Sequence, residues 1–401
     1  MDKERTREIL KRGYPNTKWD GEPMLGGWYT EEEIAAVVKA IRSSMDWSVG
    51  FGFFCEEIVE FERQFADYCG TEFAVSITSA GAGVEMAIMM LDLQPGDEVI
   101  SPAINFIAAD YAVIGHGGKL VLADVDARTL CIDPADVEKR ITPNTRAIVA
   151  THMNGLSASM DELTEIAKRH PHPKHGPLVV IGDAARACGG EYKGTRIGKL
   201  GSLNVFSFHT MKLMTTLGEG GMITTDDSQI NQRMRELRMW GADTGGWGAN
   251  YKMTKIQAAV GQVQLRRLDE MNAARYRRAT ERNELLKDAR LTLPFEPSGL
   301  RHTYYLYTCL VPEQWRGAKR DLLIRMLKEE YGVGCGVLNP PTYTLKPLIQ
   351  RHIAGQETGL PISNEIGARL FCPSLHPLMT KEDNEYIAAA MLDAVERVAR
   401  A

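Results

Sequence analysis

The sequence predicts an α/β fold in which a mostly parallel, seven-stranded sheet is flanked by helices and followed by a smaller C-terminal α+β domain. Two observations support this prediction. Short apolar runs rich in β-branched residues alternate with helical segments between residues 73 and 225, as parallel strands covered on both faces require. The chain also has 401 residues, which is more than a single ordinary core organises.

The helices and strands are predicted from capping signals and from the spacing of apolar residues. Thr30 and Glu33 have the spacing of a capping box, which predicts a helix through Arg42. A second helix is predicted from about Glu56 to Gly70, because glycine commonly follows the last turn of a helix. The seven predicted strands cover residues 73–77, 97–101, 119–124, 146–151, 177–183, 203–208 and 221–225.

The pattern along the chain predicts three segments. Residues 1–28 are predicted to be an irregular N-terminal segment, and residues 29–290 a large domain that includes long connecting helices. Residues 291–401 are predicted to form a small C-terminal domain. Further predicted elements are helices over 228–240, 254–290 and 317–331 and a strand over 304–311.

Composition indicates an ordinary globular protein, because 44% of the residues are apolar and 25% are charged. No apolar run approaches the ~20 residues that a membrane span needs, and the charged start does not resemble a secretory signal. We therefore expect a cytoplasmic protein without a membrane partner. The net charge of −5 comes without a basic block, which argues against nucleic acid. The seven cysteines are scattered, so buried thiols are expected rather than disulfides or a metal site.

Lys212 is the most informative residue of the sequence. It lies in the stretch SFHTMKLMTTLGEGG, where one amine follows an apolar strand and precedes small residues. A lysine that forms a Schiff base must lose its charge. Because an unperturbed lysine titrates near ~10.4, this loss requires a partly desolvated site with cationic or electron-withdrawing neighbours. The alternative is an ordinary solvated lysine.

Other residues suggest a site for a phosphate group. Gly81 and Ala82 lie between a strand and a helix, where their amides and the helix dipole could face an anion, although a tight turn without a ligand is the alternative. Ser207 ends a strand five residues before Lys212 and offers a hydroxyl to the same phosphate. Asn250 lies on an irregular stretch before a helix, in a position suited to reach across a subunit interface.

Phe106 and Asp183 suit an electron-poor ring. Phe106 follows the second strand and could stack on such a ring, whereas by itself it is more typical of a core residue. Asp183 ends a buried strand at the edge where open α/β sheets bind ligands. Its carboxylate could hold a pyridine nitrogen in its protonated form, or it could merely cap the next helix.

The order of these motifs resembles a known family, the fold-type I aminotransferases of the DegT/DnrJ/EryC1/StrS group, which use pyridoxal phosphate (PLP) and act on keto-sugars. The resemblance runs from about Trp28 to the C-terminus, and several ordered blocks are far more specific than one short pattern. The blocks that carry it are PGDEVISPAINFIAADYAVI, GDAARACGGEYKGTRIGKLGSLNVFSFHTMK, NYKMTKIQAAVGQVQLRRLD and LFCPSLHPLMTKED.

The resemblance implies a role for each candidate residue. Lys212 stands where the family has the lysine that holds the cofactor, Asp183 where it has the carboxylate on the pyridine nitrogen, and Phe106 where it has the stacked ring. PLP, or its amine form PMP, is the implied cofactor, and the implied assembly is a homodimer with active sites at the subunit interface. The implied phosphate contacts are Gly81, Ala82 and Ser207, together with Asn250 reaching in from a partner subunit.

Three positions depart from the family pattern. The common Ser-Gly-Thr of the phosphate site reads Ser79-Ala80-Gly81, and Gly182 replaces a glutamate before the carboxylate. Arg186 occupies a place usually held by His, Gln or Ser near the phenolic oxygen of the cofactor. A cation there should stabilise the phenolate, and a salt bridge at the rim of the site is the alternative.

The expected activity is transfer of an amino group from an amino acid, L-glutamate or L-glutamine, to the ketone of a sugar or a related polyhydroxylated compound. Three alternatives stay open: a sugar dehydratase of the same family, in which histidine replaces the lysine, an aminocyclitol aminotransferase, and a non-catalytic binder that keeps the fold. Arg238, Trp240 and Trp247 are candidate acceptor contacts, and His209 is a candidate for shaping the pocket.

Overall fold

The computed structural model of the protein describes residues 1–14, 18–242 and 246–400. Its strands are β1 Phe73–Ile77, β2 Glu98–Pro102, β3 Lys119–Ala123, β4 Thr145–Thr151, β5 Val179–Asp183, β6 Glu191–Tyr192, β7 Thr195–Arg196, β8 Leu203–Ser207, β9 Gly221–Thr225, β10 Leu300–Arg301, β11 Cys309–Leu310, β12 Cys335–Gly336 and β13 Leu370–Pro373. Its α-helices are α1 Lys3–Arg12, α2 Glu31–Ser43, α3 Glu56–Cys69, α4 Ala80–Met89, α5 Ala108–Gly115, α6 Pro134–Arg140, α7 Met160–Arg169, α8 Ser228–Arg238, α9 Lys255–Leu286, α10 Ala318–Glu329, α11 Thr342–Leu345, α12 Pro347–His352, α13 Pro361–Arg369 and α14 Lys381–Arg400.

A seven-stranded sheet in the order β1-β9-β8-β5-β4-β2-β3 forms the centre of the larger part of the chain. Strand β9 is antiparallel to both of its neighbours, and the other neighbouring strands are parallel. The predicted α/β class and mostly parallel sheet are confirmed, and all seven predicted strands of this sheet lie close to their predicted bounds. Because β1, β2, β4, β5 and β8 run in one direction, their carboxyl ends share one edge of the sheet.

The predicted caps of the first helices of the large domain are present. The backbone N–H of Thr30 donates to Glu33 Oε2 at 2.6 Å, and Thr30 Oγ1 accepts from the N–H of Glu32 at 3.3 Å. These bonds satisfy amides that the helix itself leaves unpaired. Helix α3 ends at Gly70, whose φ of 72° lies in the left-handed region that favours glycine.

The prediction that residues 1–28 are irregular is wrong for α1. Asp2 caps this helix, since its side chain accepts from the N–H of Arg5 at 2.8 Å. The helix packs against α14, and Ile9 and Leu10 contact the core of the C-terminal domain. Charged residues dominate α1, so its local sequence pattern did not reveal the helix. It is also bonded to a helix far away in sequence, because Lys3 Nζ donates to Glu396 Oε1 of α14.

The predicted strand over 304–311 is also wrong in extent, because only Cys309–Leu310 joins a ladder. Tyr304 has a φ of 51°, which breaks an extended run. The N–H of Thr303 donates to the carbonyl of Gly155 at 3.0 Å, so the backbone is bonded to a loop of the large domain instead of a strand. Tyr305 thereby reaches Lys212 at the edge of the central sheet, whereas Tyr304 and Tyr307 belong to the core of the C-terminal part.

Three apolar clusters form the core. Two of them cover the two faces of the central sheet, and the second also includes residues of α11 and α12 from late in the chain. The third lies between α10, α14 and the short strands of the C-terminal part. All seven cysteines are free thiols, and all but Cys55 are buried. The division of the chain after residues 28 and 290 remains a prediction.

The described helices include none with both the length and the apolar character that a bilayer crossing demands. The described residues also contain no group of three or more His, Cys, Asp or Glu side chains arranged to hold a metal ion.

Gly83 sets the distance between α4 and the sheet, and its replacement provides a test of this packing. A Cβ at this position would lie 2.4 Å from Ile77 Cδ1 and 2.7 Å from Val205 Cγ1. We expect Gly83→Ala to lower the free energy of unfolding by about 1–3 kcal/mol, measured by urea denaturation. Gly115→Ala on α5 is the matched control, since its Cβ would meet no atom within 4 Å. Equal destabilisation by the two substitutions would contradict this account.

Candidate active site

The carboxyl edge of the central sheet collects most of the predicted site residues. These residues lie at or after the ends of four parallel strands, and this arrangement places the turns after β1, β2, β5 and β8 at the same edge of the sheet. Ligands bind at this edge in open α/β sheets. The predicted residues at the edge are Gly81, Ala82, Phe106, Asp183, Arg186, Ser207 and Lys212.

Lys212 is partly buried in the loop after β8. Its Nζ donates to the hydroxyl of Tyr305 at 3.1 Å and lies 4.4 Å from the centre of the Tyr305 ring. Burial lowers the pKa of Lys212 to about 8, and the guanidinium of Arg186 acts in the same direction. Three carboxylates raise it: Glu22, Asp183 and Glu219. The amine is therefore close to losing its proton near neutral pH, as a Schiff-base lysine requires.

Asp183 presents a buried carboxylate at the end of β5 and is 6% exposed. Its Oδ1 accepts from the N–H of Ala185 at 3.1 Å. The described residues between β5 and β6 form a turn and no helix, so the interpretation of Asp183 as a helix cap is wrong. Asp183 forms no ion pair with any residue that the structure describes, although a buried charge usually has a partner. The carboxylate is thus held in place while one oxygen is left for a ligand.

A polar pair behind Asp183 explains why residue 182 is a glycine. A Cβ on Gly182 would lie 1.9 Å from Asn204 Oδ1 and 3.1 Å from His152 Nε2. Asn204 is held by the carbonyl of Leu200, to which its Nδ2 donates at 2.6 Å. Burial lowers the pKa of His152 to about 4, so its ring is neutral. The side chain of Asn204 fills the space that a glutamate at 182 would need.

The proposed phosphate contacts lie at the start of α4 and the end of β8. Ser79 Oγ accepts from the N–H of Ala82 at 3.2 Å, so the amide of Ala82 is already engaged by a cap. Gly81 is exposed, and a Cβ there would meet only Ser79 Oγ, at 3.7 Å. Ser207 is buried, and its Oγ accepts from the N–H of His209 at 3.3 Å. The free amide of Gly81 and the helix dipole remain available to an anion.

Phe106 is 57% exposed, so the interpretation as a core residue is wrong. Its N–H donates to Asn105 Oδ1 at 2.7 Å, and this bond holds the turn after β2. Asn105 is buried, and its Nδ2 has no hydrogen-bond partner among the residues described. An exposed aromatic ring next to an unpaired buried donor indicates a binding surface rather than a packed core.

Arg186 is a buried cation, with 5% of its surface exposed. Its Nη2 donates to Asn339 Oδ1 at 2.6 Å, and its Nη1 lies 3.4 Å from Met153 Sδ. Within the described part of the chain it forms no salt bridge, so the rim ion pair considered above is wrong. A buried guanidinium without a carboxylate partner is costly and suits an anionic ligand.

His209 adjoins Lys212, since its carbonyl accepts from the N–H of Lys212 at 2.9 Å. Four further candidates have other surroundings. Asn250 is exposed, and its Oδ1 accepts from Lys252 Nζ at 2.6 Å. Trp240 and Trp247 are exposed as well, and residues 243–245 between them lie outside the described part. The Nη1 of Arg238 is buried and donates to Glu62 Oε1 at 2.5 Å. Because this pair is internal, Arg238 is not available to an acceptor.

Several residues at the site were missed by sequence reasoning. Glu22 accepts a hydrogen bond from the Tyr305 hydroxyl, and the guanidinium of Arg275 donates to the carbonyl of Gly26. A Cβ on Gly26 would lie 2.1 Å from the carbonyl oxygen of Lys212, so only glycine fits. In the sequence, the glycine pair at 26 and 27 and the tyrosines between 304 and 307 were the features that could have pointed to these contacts.

The ionisation of Lys212 can be measured directly. Acetic anhydride acylates neutral amines, so labelling of Lys212 in the cofactor-free protein, followed by mass spectrometry, should rise with a midpoint near pH 8. We expect Arg186→Gln to raise this midpoint by about one unit, because a nearby cation disfavours the ammonium form. Arg233→Gln on the exposed side of α8 should leave it unchanged. A wild-type midpoint at the ordinary lysine value of about 10.4 would contradict the burial argument.

Comparison with known proteins identifies the family of the chain. The chain matches the DegT/DnrJ/EryC1/StrS aminotransferase family over residues 29–392. It is 37% identical over 342 residues to GDP-perosamine synthase of Caulobacter vibrioides, covering 83% of this chain and 89% of that protein.

Two solved structures have the same fold. DesV of S. venezuelae, solved in complex with a ketimine intermediate, superposes with a TM-score of 0.83 at 30% identity, covering 92% of this chain and 95% of that one. Spr1654 from Streptococcus pneumoniae, solved in its PMP form, superposes with a TM-score of 0.86 at 25% identity, covering 94% and 98%. These likenesses confirm the family, fold and cofactor that the motifs predicted. The chain therefore belongs to the DegT/DnrJ/EryC1/StrS aminotransferase family and is a PLP-dependent aminotransferase.

Proposed function

We propose that the protein transfers an amino group from L-glutamate or L-glutamine to the ketone of a sugar or related polyhydroxylated compound, in the cytoplasm, as a step in making an amino sugar. The observation that carries this proposal is the Lys212 amine, with its lowered pKa, beside the buried carboxylate of Asp183. The name of a 37% identical relative, GDP-perosamine synthase, supports a sugar as the acceptor.

The residues at the sheet edge fit PLP. When bound, the cofactor supplies an aldehyde that accepts the amino group and a ring that withdraws electrons from the reacting carbon. Asp183 is buried and keeps one oxygen free, which suits a protonated ring nitrogen. The exposed ring of Phe106 offers a flat surface for stacking, and Arg186 offers an unpaired cation to the phenolic oxygen.

Lys212 is proposed to have two tasks. Its Nζ would hold the aldehyde at rest. After the donor amine has displaced it, the same nitrogen would take a proton from the α-carbon of the donor and return it to the cofactor carbon on the other side of the donor nitrogen. A base for this task should titrate near the working pH, and a pKa of about 8 meets that condition. The lysine also argues against the dehydratase alternative, in which histidine is expected.

The phosphate is proposed to bind at the N-terminus of α4 and near the end of β8. The exposed amide of Gly81 and the helix dipole supply part of this site, and the hydroxyl of Ser207 lies at the neighbouring strand end. The amide of Ala82 donates to Ser79 Oγ and is therefore not free to bind the phosphate. Ala82 contributes to the proposed site only by holding the start of α4 in place. Asn250 of a second subunit is proposed to complete this phosphate site.

A homodimer is the proposed assembly, and an exposed apolar face supports it. The face consists of Ile34, Val38 and Ile41 on one side of α2, together with Trp47 and Phe53 in the loop that follows. Trp47 is 95% exposed, and soluble monomers rarely expose such a continuous apolar surface.

The apolar face is continuous with the segment that carries Asn250. Phe53 packs edge-on against Trp240, with ring centres 6.4 Å apart. Lys252 Nζ lies 4.0 Å from the centre of the Trp240 ring and donates to Asn250. A partner that covers this face would therefore also approach Asn250. This proximity is what a phosphate site built from two subunits requires.

The proposed reaction can be tested in two halves. Purified protein with PLP should have a visible absorption band that L-glutamate or L-glutamine removes. A panel of keto-sugars, keto-acid sugars and a ketocyclitol should then include a compound that restores it. Lys212→Ala should lack the Schiff-base band and lose about 10²-fold or more in turnover. The control Lys287→Ala, at an exposed lysine paired with Glu284, should keep the band. A colourless protein that ignores added PLP would support a non-catalytic binder, and recovery with simple 2-oxo acids alone would exclude the sugar acceptor.

The proposed dimer gives a separate prediction. Ile41→Glu would bury an unpaired carboxylate, which should raise the dimer dissociation constant by about 100-fold or more. Size-exclusion chromatography with light scattering would detect the monomer. Leu378→Glu is the control, because Leu378 is equally exposed but does not belong to the apolar face. A wild-type protein that is monomeric at micromolar concentration would exclude the proposal.

A further inference from the structure

Residues 21–27, here called the N-terminal strap, are fixed directly against the loop that carries Lys212. The N–H of Gly26 donates to the carbonyl of Thr210 at 2.8 Å, and Thr210 Oγ1 donates to the carbonyl of Met24 at 2.8 Å. His376 Nε2 lies 2.7 Å from the carbonyl oxygen of Leu25. The strap is therefore held by the loop of Lys212 on one side and by His376 on the other.

The strap also contributes a carboxylate to the lysine through a tyrosine. Lys212 Nζ donates to the hydroxyl of Tyr305 at 3.1 Å, and that hydroxyl donates to Glu22 Oε1. Burial and the Glu22 carboxylate raise the pKa of Tyr305 well above its usual value. The phenol therefore stays protonated and can accept from Lys212 while it donates to Glu22, so the direction of both bonds is fixed.

The charges around this bridge come from several elements. Arg186 and Arg275 are the cations, and both are buried. Burial lowers the pKa of Arg275 to about 10, and its Nε has no hydrogen-bond partner among the described residues. The carboxylates that act on Lys212 are Glu22 from the strap, Asp183 from β5 and Glu219 from the loop before β9. Among the three, Glu22 is the one joined to the amine by a chain of two hydrogen bonds in the described part of the protein.

We propose that Tyr305 and Glu22 form a proton relay for Lys212, in which Tyr305 is a catalytic residue in contact with the reacting nitrogen and Glu22 is a positioning residue. In the forward step, a proton leaves Nζ for the Tyr305 oxygen as the Tyr305 proton moves to Glu22 Oε1. One N–H and one O–H bond break, and two O–H bonds form. The step yields a neutral amine, a neutral phenol and a carboxylic acid, and it is reversed when Lys212 must be charged again. This inference rests on the proposed role of Lys212.

The relay predicts a shift in the ionisation of Lys212 that a purely structural strap would not produce. In the cofactor-free protein, Glu22→Gln should move the acetic anhydride labelling midpoint of Lys212 below pH 8 by about one unit, because an anion that favours the ammonium form is removed. Arg186→Gln should move it in the opposite direction. The control is Glu296→Gln, which neutralises a carboxylate that accepts from another tyrosine, Tyr276, at 3.0 Å. Its midpoint should equal that of the wild type.

Proton transfer provides the second measurement. With PLP bound, Tyr305→Phe should slow the loss of the visible band on addition of L-glutamate by about 10-fold or more and should increase the kinetic isotope effect of α-deuterated glutamate. Tyr276→Phe should change neither. Thermal unfolding of each variant identifies a loss of fold.

The outcomes separate this inference from the proposed function. If Lys212→Ala keeps its Schiff-base band, the role of the lysine is wrong and the relay falls with it. If the wild type is coloured and active while folded Glu22→Gln and Tyr305→Phe keep the wild-type midpoint and isotope effect, the relay alone is wrong and the strap is structural.

Discussion

Partial burial of one amine is the constraint on which the site depends. Lys212 can release and take up a proton near neutral pH because its loop is held between the ends of the parallel strands and the N-terminal strap. This burial excludes water and lowers the pKa of Lys212 to about 8. Arg186 strengthens this effect, and the surrounding carboxylates limit it. The electrostatic balance is therefore set by residues from several distant parts of the chain, all of which must fold before the lysine becomes reactive.

Close backbone contacts around this amine explain several glycines. Gly26 lies against the carbonyl of Lys212, Gly182 against the side chain of Asn204, and Gly221 within 3.0 Å of the backbone of Ser79 and Ala80 when a Cβ is built on it. At each position a side chain would collide with groups that are themselves fixed by hydrogen bonds. The edge of the sheet is packed to this density because turns from several strands converge on a space the size of one small ligand.

The C-terminal part and the N-terminal segment act on the site together. Tyr305 reaches Lys212 because its segment is bonded to Asn154 and Gly155 of the large domain, and Glu22 reaches Tyr305 because Arg275 and His376 hold the strap. The chain ends are joined in the same region, since α1 packs on α14. The strap thus connects the loop of Lys212 to the C-terminal part of the chain.

The sequence alone determined the sheet, the caps of α2 and α3 and the identity of Lys212 and Asp183 as candidates, because these depend on short-range periodicity and on motifs of contiguous residues. It could not reveal α1, the broken strand at 304–311, or the contacts of Glu22, Tyr305 and Arg275 with the site, because each depends on a partner that is distant in sequence, such as Tyr305 for Lys212, 93 residues away. It also left Arg186 between two interpretations and treated Phe106 as a core residue or a stacking surface. Only the tertiary structure decided these, since burial and the absence of a nearby carboxylate are properties of the folded chain and not of its local pattern.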